Sequence, residues 1–252
     1  MDYRNTNVVV TGSSAGIGKA TAESYMKNGA NVIIHGASLK GEEVARELNE
    51  KYDSKATFIR ADLAKMEDVR YLYEESVRTL GKVDILVNCA GIVPAGTVLD
   101  FSEKDFDKAF DVNVKSVFFL SKMFLEHMLK NGRGNIVNIA SIAGLIGPKN
   151  RALYSASKGA VISLTRAMAM DHADTGVRIN CICPGMVYSP SLEKRIEATD
   201  DPEETYRIFR NNIPMKRIGT VEEIAQAVLF VTGDENSFMT GSIINVDGGA
   251  GL

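Results

Sequence analysis

Cysteine is scarce in this chain of 252 residues, which has only Cys89, Cys181 and Cys183. Three is too few, and an odd number, for a disulfide framework. No metal site is expected either, because none of His35, His127 and His172 stands at metal-ligand spacing to complete a set with the cysteines. Cys181 and Cys183 lie two apart in a strand-like segment, so they point to one face, as buried structural cysteines do. No apolar stretch approaches the ~20 residues that cross a bilayer. The polar segment Met1–Asn7 leads straight into a strand and leaves no secretory h-region. Basic runs, low-complexity tracts and internal repeats are also missing, and the formal net charge is −3. Nucleic acid and membranes are therefore not expected partners, and a cytoplasmic location is the expectation.

What remains has the make-up of one large α/β domain, with 45% hydrophobic and 24% charged residues. Apolar, β-branched runs occur at Asn7–Thr11, Asn31–His35, Ala56–Arg60, Val83–Asn88, Gly134–Ala140, Arg178–Cys183 and Ser242–Val246. Helical periodicity fills the intervals Ile17–Asn28, Gly41–Lys51, Met66–Leu80, Phe106–Lys130, Tyr154–Ala173 and Val221–Thr232. The strand runs lack clean alternation, which suits strands covered on both faces. This rhythm predicts a single Rossmann-type, doubly wound domain spanning residues 1–252, with a mostly seven-stranded parallel sheet and helices on both faces. Only Tyr188–Asn212 breaks it, being charged and turn-rich. An insertion beyond the C-terminal edge of a parallel sheet lies where such folds bind ligands. It reads as a substrate lid over about 188–212, or else as a solvated helical excursion.

Two local patterns carry chemistry. The first strand runs into Thr11-Gly12-Ser13-Ser14-Ala15-Gly16-Ile17-Gly18, and glycines at 12, 16 and 18 let a pyrophosphate approach the backbone where a helix begins. Farther on, Tyr154 and Lys158 stand at i, i+4 on one helix face, with Ser141 thirteen residues upstream. A phenol titrates near pH ~10, so a neighbouring ammonium is what brings it into use near neutrality.

The GxxxGxG turn, Asn88-Cys89-Ala90-Gly91, Asn113, Ser141, Tyr154-x-x-x-Lys158, Pro184-Gly185 and Asp247-Gly248-Gly249 together resemble the short-chain dehydrogenase/reductases in order and spacing. The resemblance runs from about residue 5 to the C-terminus; Cys89 replaces the family's usual second asparagine. It implies an enzyme that interconverts a carbonyl and a secondary alcohol with NAD or NADP. Tyr154 would be the acid/base and Lys158 would hold the nicotinamide ribose. Ser141 would bind the substrate oxygen, and Asn113 would support a water-linked proton path to Lys158. Gly12, Ser14, Gly16, Ile17, Gly18, Asp62, Leu63, Asn88, Ala90, Gly91, Pro184, Gly185, Val187 and Ser189 fall at cofactor positions. Homotetramers are usual, built on the helices here expected at Phe106–Lys130 and Tyr154–Ala173. Phe118, Phe119, Met123 and Phe124 suit such an interface or the core.

Position 36, at the end of the second strand, decides the cofactor. An acid there grips the ribose 2′-hydroxyl of NAD and repels a 2′-phosphate. Gly36 stands in its place, yet the arginine that often holds the phosphate is absent at Ala15 and Ala37. Ser38, Lys40 and His35 are substitutes, and the balance favours NADP over NAD. For the substrate, Arg151 and Arg195 resemble the carboxylate-binding pair of 3-hydroxybutyrate dehydrogenase type 2 and keto-deoxy sugar-acid dehydrogenases. Otherwise they are solvated surface charges. A 3-oxoacyl-carrier-protein reductase, docking its carrier through Arg133, is the second reading, although Thr175 stands where a docking arginine often sits. A sugar or polyol dehydrogenase is the third. A catalytically silent cofactor-binding protein is opposed by the intact Asn113, Ser141, Tyr154 and Lys158.

Overall fold

The computed structural model describes residues 1–252. The β-branched runs form seven strands: β1 (Asn7–Val10), β2 (Asn31–Gly36), β3 (Ala56–Arg60), β4 (Ile85–Asn88), β5 (Gly134–Ile139), β6 (Val177–Pro184) and β7 (Ile243–Val246). They pair in the order β3-β2-β1-β4-β5-β6-β7, and every pairing is parallel. Successive residues feed opposite faces. Val8 and Val10 enter a buried cluster of 23 residues, while Val9 enters another of 17. Helices α1 (Gly16–Lys27) and α2 (Lys40–Lys51) cover the first face together with α9 (Val221–Thr232). The second face lies under α3 (Met66–Leu80), α5 (Ser116–Lys130) and the end of α6 (Ala152–Asp171). A strand buried on both sides has no polar face to show, which is why its sequence does not alternate.

One expected helix is not uniform. Phe106–Lys130 starts earlier, at a capping box made by Ser102 and Asp105, and forms α4 (Glu103–Phe110). It then widens into a π-helical turn over Asp111–Lys115 before continuing as α5. The insertion at 188–212 is mostly helical, with α7 (Pro190–Glu197) and α8 (Pro202–Asn211) each opening on proline. These two helices gather a separate cluster of four buried residues, Leu192, Ile196, Ile213 and Ile218.

Phe124 is core, in edge contact with Tyr73. Phe119 and Met123 lie partly buried against the same cluster, and Phe118 is exposed. Cys181 and Cys183 are buried with their sulfurs 4.0 Å apart. At the far end of β6, Arg178 donates to the carbonyls of Val231, Thr232, Gly233 and Met239. A cation thus closes the negative end of α9.

Candidate active site

The strand order reverses direction between β1 and β4, and the C-terminal ends of those strands bound a crevice. Thr11 holds its two walls together: its hydroxyl oxygen accepts from the N–H groups of Cys89 (2.9 Å) and Ala90 (3.0 Å). The glycines that follow divide the work. Gly12, at φ +67°, lies so close to Ala90 that a Cβ would come 2.8 Å from its Cα. Its N–H donates inward to His35 Nδ1 at 2.9 Å, so Gly12 shapes the turn and offers no donor to a ligand. A Cβ on Gly18 would sit 2.4 Å from the Gly12 carbonyl oxygen. Gly16, Ile17 and Gly18 open α1, and Ala15 before them provides no side-chain cap. Their N–H groups, at the positive end of the helix, are the free donors an anion needs. Across from them, a Cβ on Gly16 would meet Ser189 at 3.7 Å, so the start of α7 faces the turn. Free backbone donors at a helix start with a serine across from them have the chemistry that suits a dinucleotide's pyrophosphate.

His35 is not available to a phosphate, contrary to the expectation for it. Nδ1 accepts from Gly12, Nε2 lies 3.1 Å from the Ala61 carbonyl, and the ring is 3% exposed. This requires the neutral ring with its proton on Nε2, and burial pushes the pKa down to about 4. Ser13 completes the latch by donating to the Val10 carbonyl (2.6 Å) and accepting from the His35 N–H (2.9 Å). Ser14 covers Gly36, where any Cβ would fall 2.8 Å from its hydroxyl. Ser38 and Lys40 are exposed at the start of α2. Asp62 accepts from the Ala64 N–H at 3.1 Å in a tight turn, and the Leu63 side chain is buried in the core, which leaves only its backbone to offer a ligand.

Asn88 ties the centre of the sheet to the helices. Its amide donates to Asn138 (2.8 Å) and Ser121 (3.1 Å), and Asn138 donates to Thr165 on α6. Ala90 and Gly91 follow. A Cβ on Gly91 would lie 3.2 Å from Asn113 Oδ1 and 3.5 Å from Lys158 Nζ, which locates all three around one point. The Asn113 side chain is fully occupied: Oδ1 accepts from Ile92 N–H at 2.8 Å, and Nδ2 donates to the Ile92 carbonyl (2.9 Å) and Ser157 (3.0 Å). Ser157 in turn donates to the Tyr154 carbonyl. Asn113 therefore clamps the face of α6 that bears Tyr154 and Lys158, from a π turn of the kind found at functional sites. Ser157 had no motif to announce it.

Lys158 is buried, donates to the Ile139 carbonyl at 2.8 Å, and places Nζ 5.9 Å from the Tyr154 ring centroid. Ser141 follows β5, and its hydroxyl oxygen accepts from Ala143 N–H at 3.1 Å. The turn after it presses on α6, where a Cβ on Gly144 would lie 2.7 Å from the Gly159 nitrogen.

The last wall comes from β6. Gly185 passes under Asp247, where a Cβ would reach 2.7 Å from the Asp247 Cα. The Asp247 carboxylate accepts from the N–H groups of Gly249 and Gly251, so Asp247-Gly248-Gly249 is a structural turn. Pro184 ends β6, Val187 is buried and bridges to Gly219, and Ser189 caps α7. Arg195, on α7, lies within electrostatic reach of Arg151 and Tyr154. Burial holds its guanidinium below the usual arginine range, Arg151 adds to that, and Tyr154 opposes it. Neither arginine forms an ion pair. Arg133 and Thr175 precede β5 and β6 and so stand at the opposite edge of the sheet, where Arg133 lies 3.5 Å from Asp234.

A dinucleotide cradle and a tyrosine–lysine pair meeting at a switch point define an NAD(P)-linked oxidoreductase. The family profile described as Enoyl-(Acyl carrier protein) reductase matches residues 12–251. An "uncharacterized oxidoreductase" of Thermotoga maritima is 47% identical over 99% of both chains. "Dehydrogenase/reductase SDR family member 6" of Rattus norvegicus is 39% identical over 97% of each. The crystal structure of levodione reductase superposes with a TM-score of 0.94 at 29% identity, covering 99% of this chain and 98% of that one. The chain belongs to the short-chain dehydrogenase/reductase family.

Proposed function

We propose that the protein interconverts a small keto acid and the corresponding hydroxy acid, with Tyr154 as acid/base and NADP as the favoured cofactor. The observation that carries the substrate class is the pair Arg151 and Arg195. Two cations that repel each other beside Tyr154, with no carboxylate of their own, suit a ligand that brings one. The nicotinamide, when bound, supplies the hydride in reduction and takes it in oxidation.

Each side chain then has one task. Tyr154 gives its phenolic proton to the carbonyl oxygen in reduction and receives it back in oxidation. Lys158 spends one N–H on Ile139, which leaves two for ribose hydroxyls, and its charge steadies the phenolic oxygen as the proton leaves. Ser141 accepts from Ala143, so its own hydroxyl proton is free to donate to the substrate oxygen. Asn113, whose amide is committed, supports a water-linked path to Lys158 through its main chain. Gly16, Ile17, Gly18 and Ser189 would hold the pyrophosphate, and Asp62 would face the adenine.

Helices α7 and α8 form the substrate lid, and Arg195 rides on it. The assembly we propose is a homotetramer, the usual state in the family, with the exposed Phe106 and Phe118 offering apolar surface. Sedimentation analysis of the purified chain tests that assembly.

The experiment for the reaction is a screen of keto acids, sugars and acyl thioesters with wild type, Tyr154→Phe, Arg151→Ala and Arg195→Ala. Tyr154→Phe should abolish turnover while sparing cofactor binding, whereas a silent binding protein would show no change. Each arginine variant should lose roughly 10- to 100-fold in kcat/KM on keto acids, the worth of a charged hydrogen bond. Unchanged kcat/KM in both would sink the carboxylate reading.

A further inference from the structure

We propose that Arg60 is the residue that selects a 2′-phosphorylated cofactor, reaching it from β3 rather than from the glycine turn or the end of β2. The inference rests on the NADP reading above and adds a residue to it.

Three observations lead there. At Gly36 a Cβ would fall 2.8 Å from the Ser14 hydroxyl, so an acid could stand at the end of β2 only if the Ser14 side chain moved aside. Arg60 is the register partner of Gly36, and paired residues of neighbouring parallel strands project to the same face. Arg60 therefore leaves the sheet on the side where the missing Gly36 side chain would have pointed, toward Ser14. Its Nε then donates to the Ala37 carbonyl at 3.1 Å, which turns the guanidinium back over the loop at 37–38.

The terminal nitrogens of that guanidinium have no partner in the protein, and Arg60 takes part in no ion pair. The exposed Arg46, Arg70, Arg166 and Arg210 also lack ion pairs, so what sets Arg60 apart is the Nε anchor that holds its guanidinium at the loop after β2. An anchored arginine with its fork left open beside Ser38 and Lys40 has the donor geometry of a phosphate monoester site. The side chain is exposed and its one bond within the protein goes to the Ala37 carbonyl, so its replacement is expected to leave the fold intact.

The test is calorimetric titration of NADPH and NADH, separately, into wild type, Arg60→Met and Arg60→Lys. Wild type should bind NADPH more tightly. Arg60→Met should weaken NADPH by roughly 10- to 100-fold and leave NADH unchanged, and Arg60→Lys should fall between, having charge without the fork. An unchanged NADPH affinity in Arg60→Met overturns the role of Arg60 while leaving an NADP preference standing. Equal losses for both cofactors also overturn it, because the residue would then be structural. A wild type that prefers NADH overturns the NADP reading and this inference with it.

Discussion

Protonating His35 should loosen the cofactor turn and the fold together, and the pH at which this happens follows from the geometry. The ring is neutral, with Nδ1 accepting from Gly12 N–H and Nε2 donating to the Ala61 carbonyl. A proton added to Nδ1 would set donor against donor inside a site 3% exposed. The native pKa is accordingly pushed down from 6.5 to about 4 by burial, against the opposing pull of Asp62 and Asp68. An unfolded chain binds this proton near pH ~6.5 and the native one does not. The contribution of His35 to stability is therefore complete above that pH and is lost as pH falls from there toward 4. The slope is about 1.4 kcal/mol per pH unit and the total is roughly 3 kcal/mol.

Many carboxylates titrate in the same range, so a single unfolding curve cannot isolate the effect. The useful comparison is with His35→Asn, whose side-chain oxygen can still accept from Gly12 but does not titrate. Urea unfolding of both proteins between pH 4 and 8 gives a stability difference from which the shared carboxylates cancel. That difference should be flat above about pH 6.5 and shrink by roughly 3 kcal/mol toward pH 4. A difference that stays constant, or that grows in favour of wild type as pH falls, refutes the reasoning.

Two further outcomes test the frame around the site. Gly18→Ala puts a methyl against the Gly12 carbonyl, and neither backbone can yield cheaply. It should destabilise the protein by about 1–3 kcal/mol and abolish cofactor binding by calorimetry. Arg178→Met leaves the Val231 and Thr232 carbonyls at the end of α9 without their side-chain donor, while those of Gly233 and Met239 keep Asn236 N–H and Asn180 Nδ2; it should lower stability by about 1–3 kcal/mol in urea titration, with KM unaffected.

The sheet was readable from sequence because each strand is buried on both faces. Val8, Val9 and Val10 need no alternation when clusters lie on either side. The π turn at Asp111–Lys115 was not readable, since hydrophobic periodicity runs through one extra residue almost undisturbed. His35 misled for a physical reason: a polar residue at the end of β2, beside a phosphate turn, has the same sequence signature as a ligand. Only the structure reveals that its two nitrogens are spent on the backbone. Ser157 was silent because serine inside a helix carries no pattern, although here it links Asn113 to the Tyr154 turn.

The small cluster beneath α7 and α8 has a consequence for how the molecule breathes. Leu192, Ile196, Ile213 and Ile218 are joined to neither of the large clusters, and α8 buries no residue at all. Detaching these two helices would expose four apolar side chains, whereas unravelling the sheet would expose some forty, counting the 23 and 17 of its two faces. The chain therefore holds two melting units of very different depth. Amide hydrogens of 190–211 should exchange through the shallow one, far ahead of the strands. A ligand gripped by Arg195 is released when either unit opens, so its binding would raise the protection of 190–211 and that of the sheet by the same increment, which grows with ligand concentration.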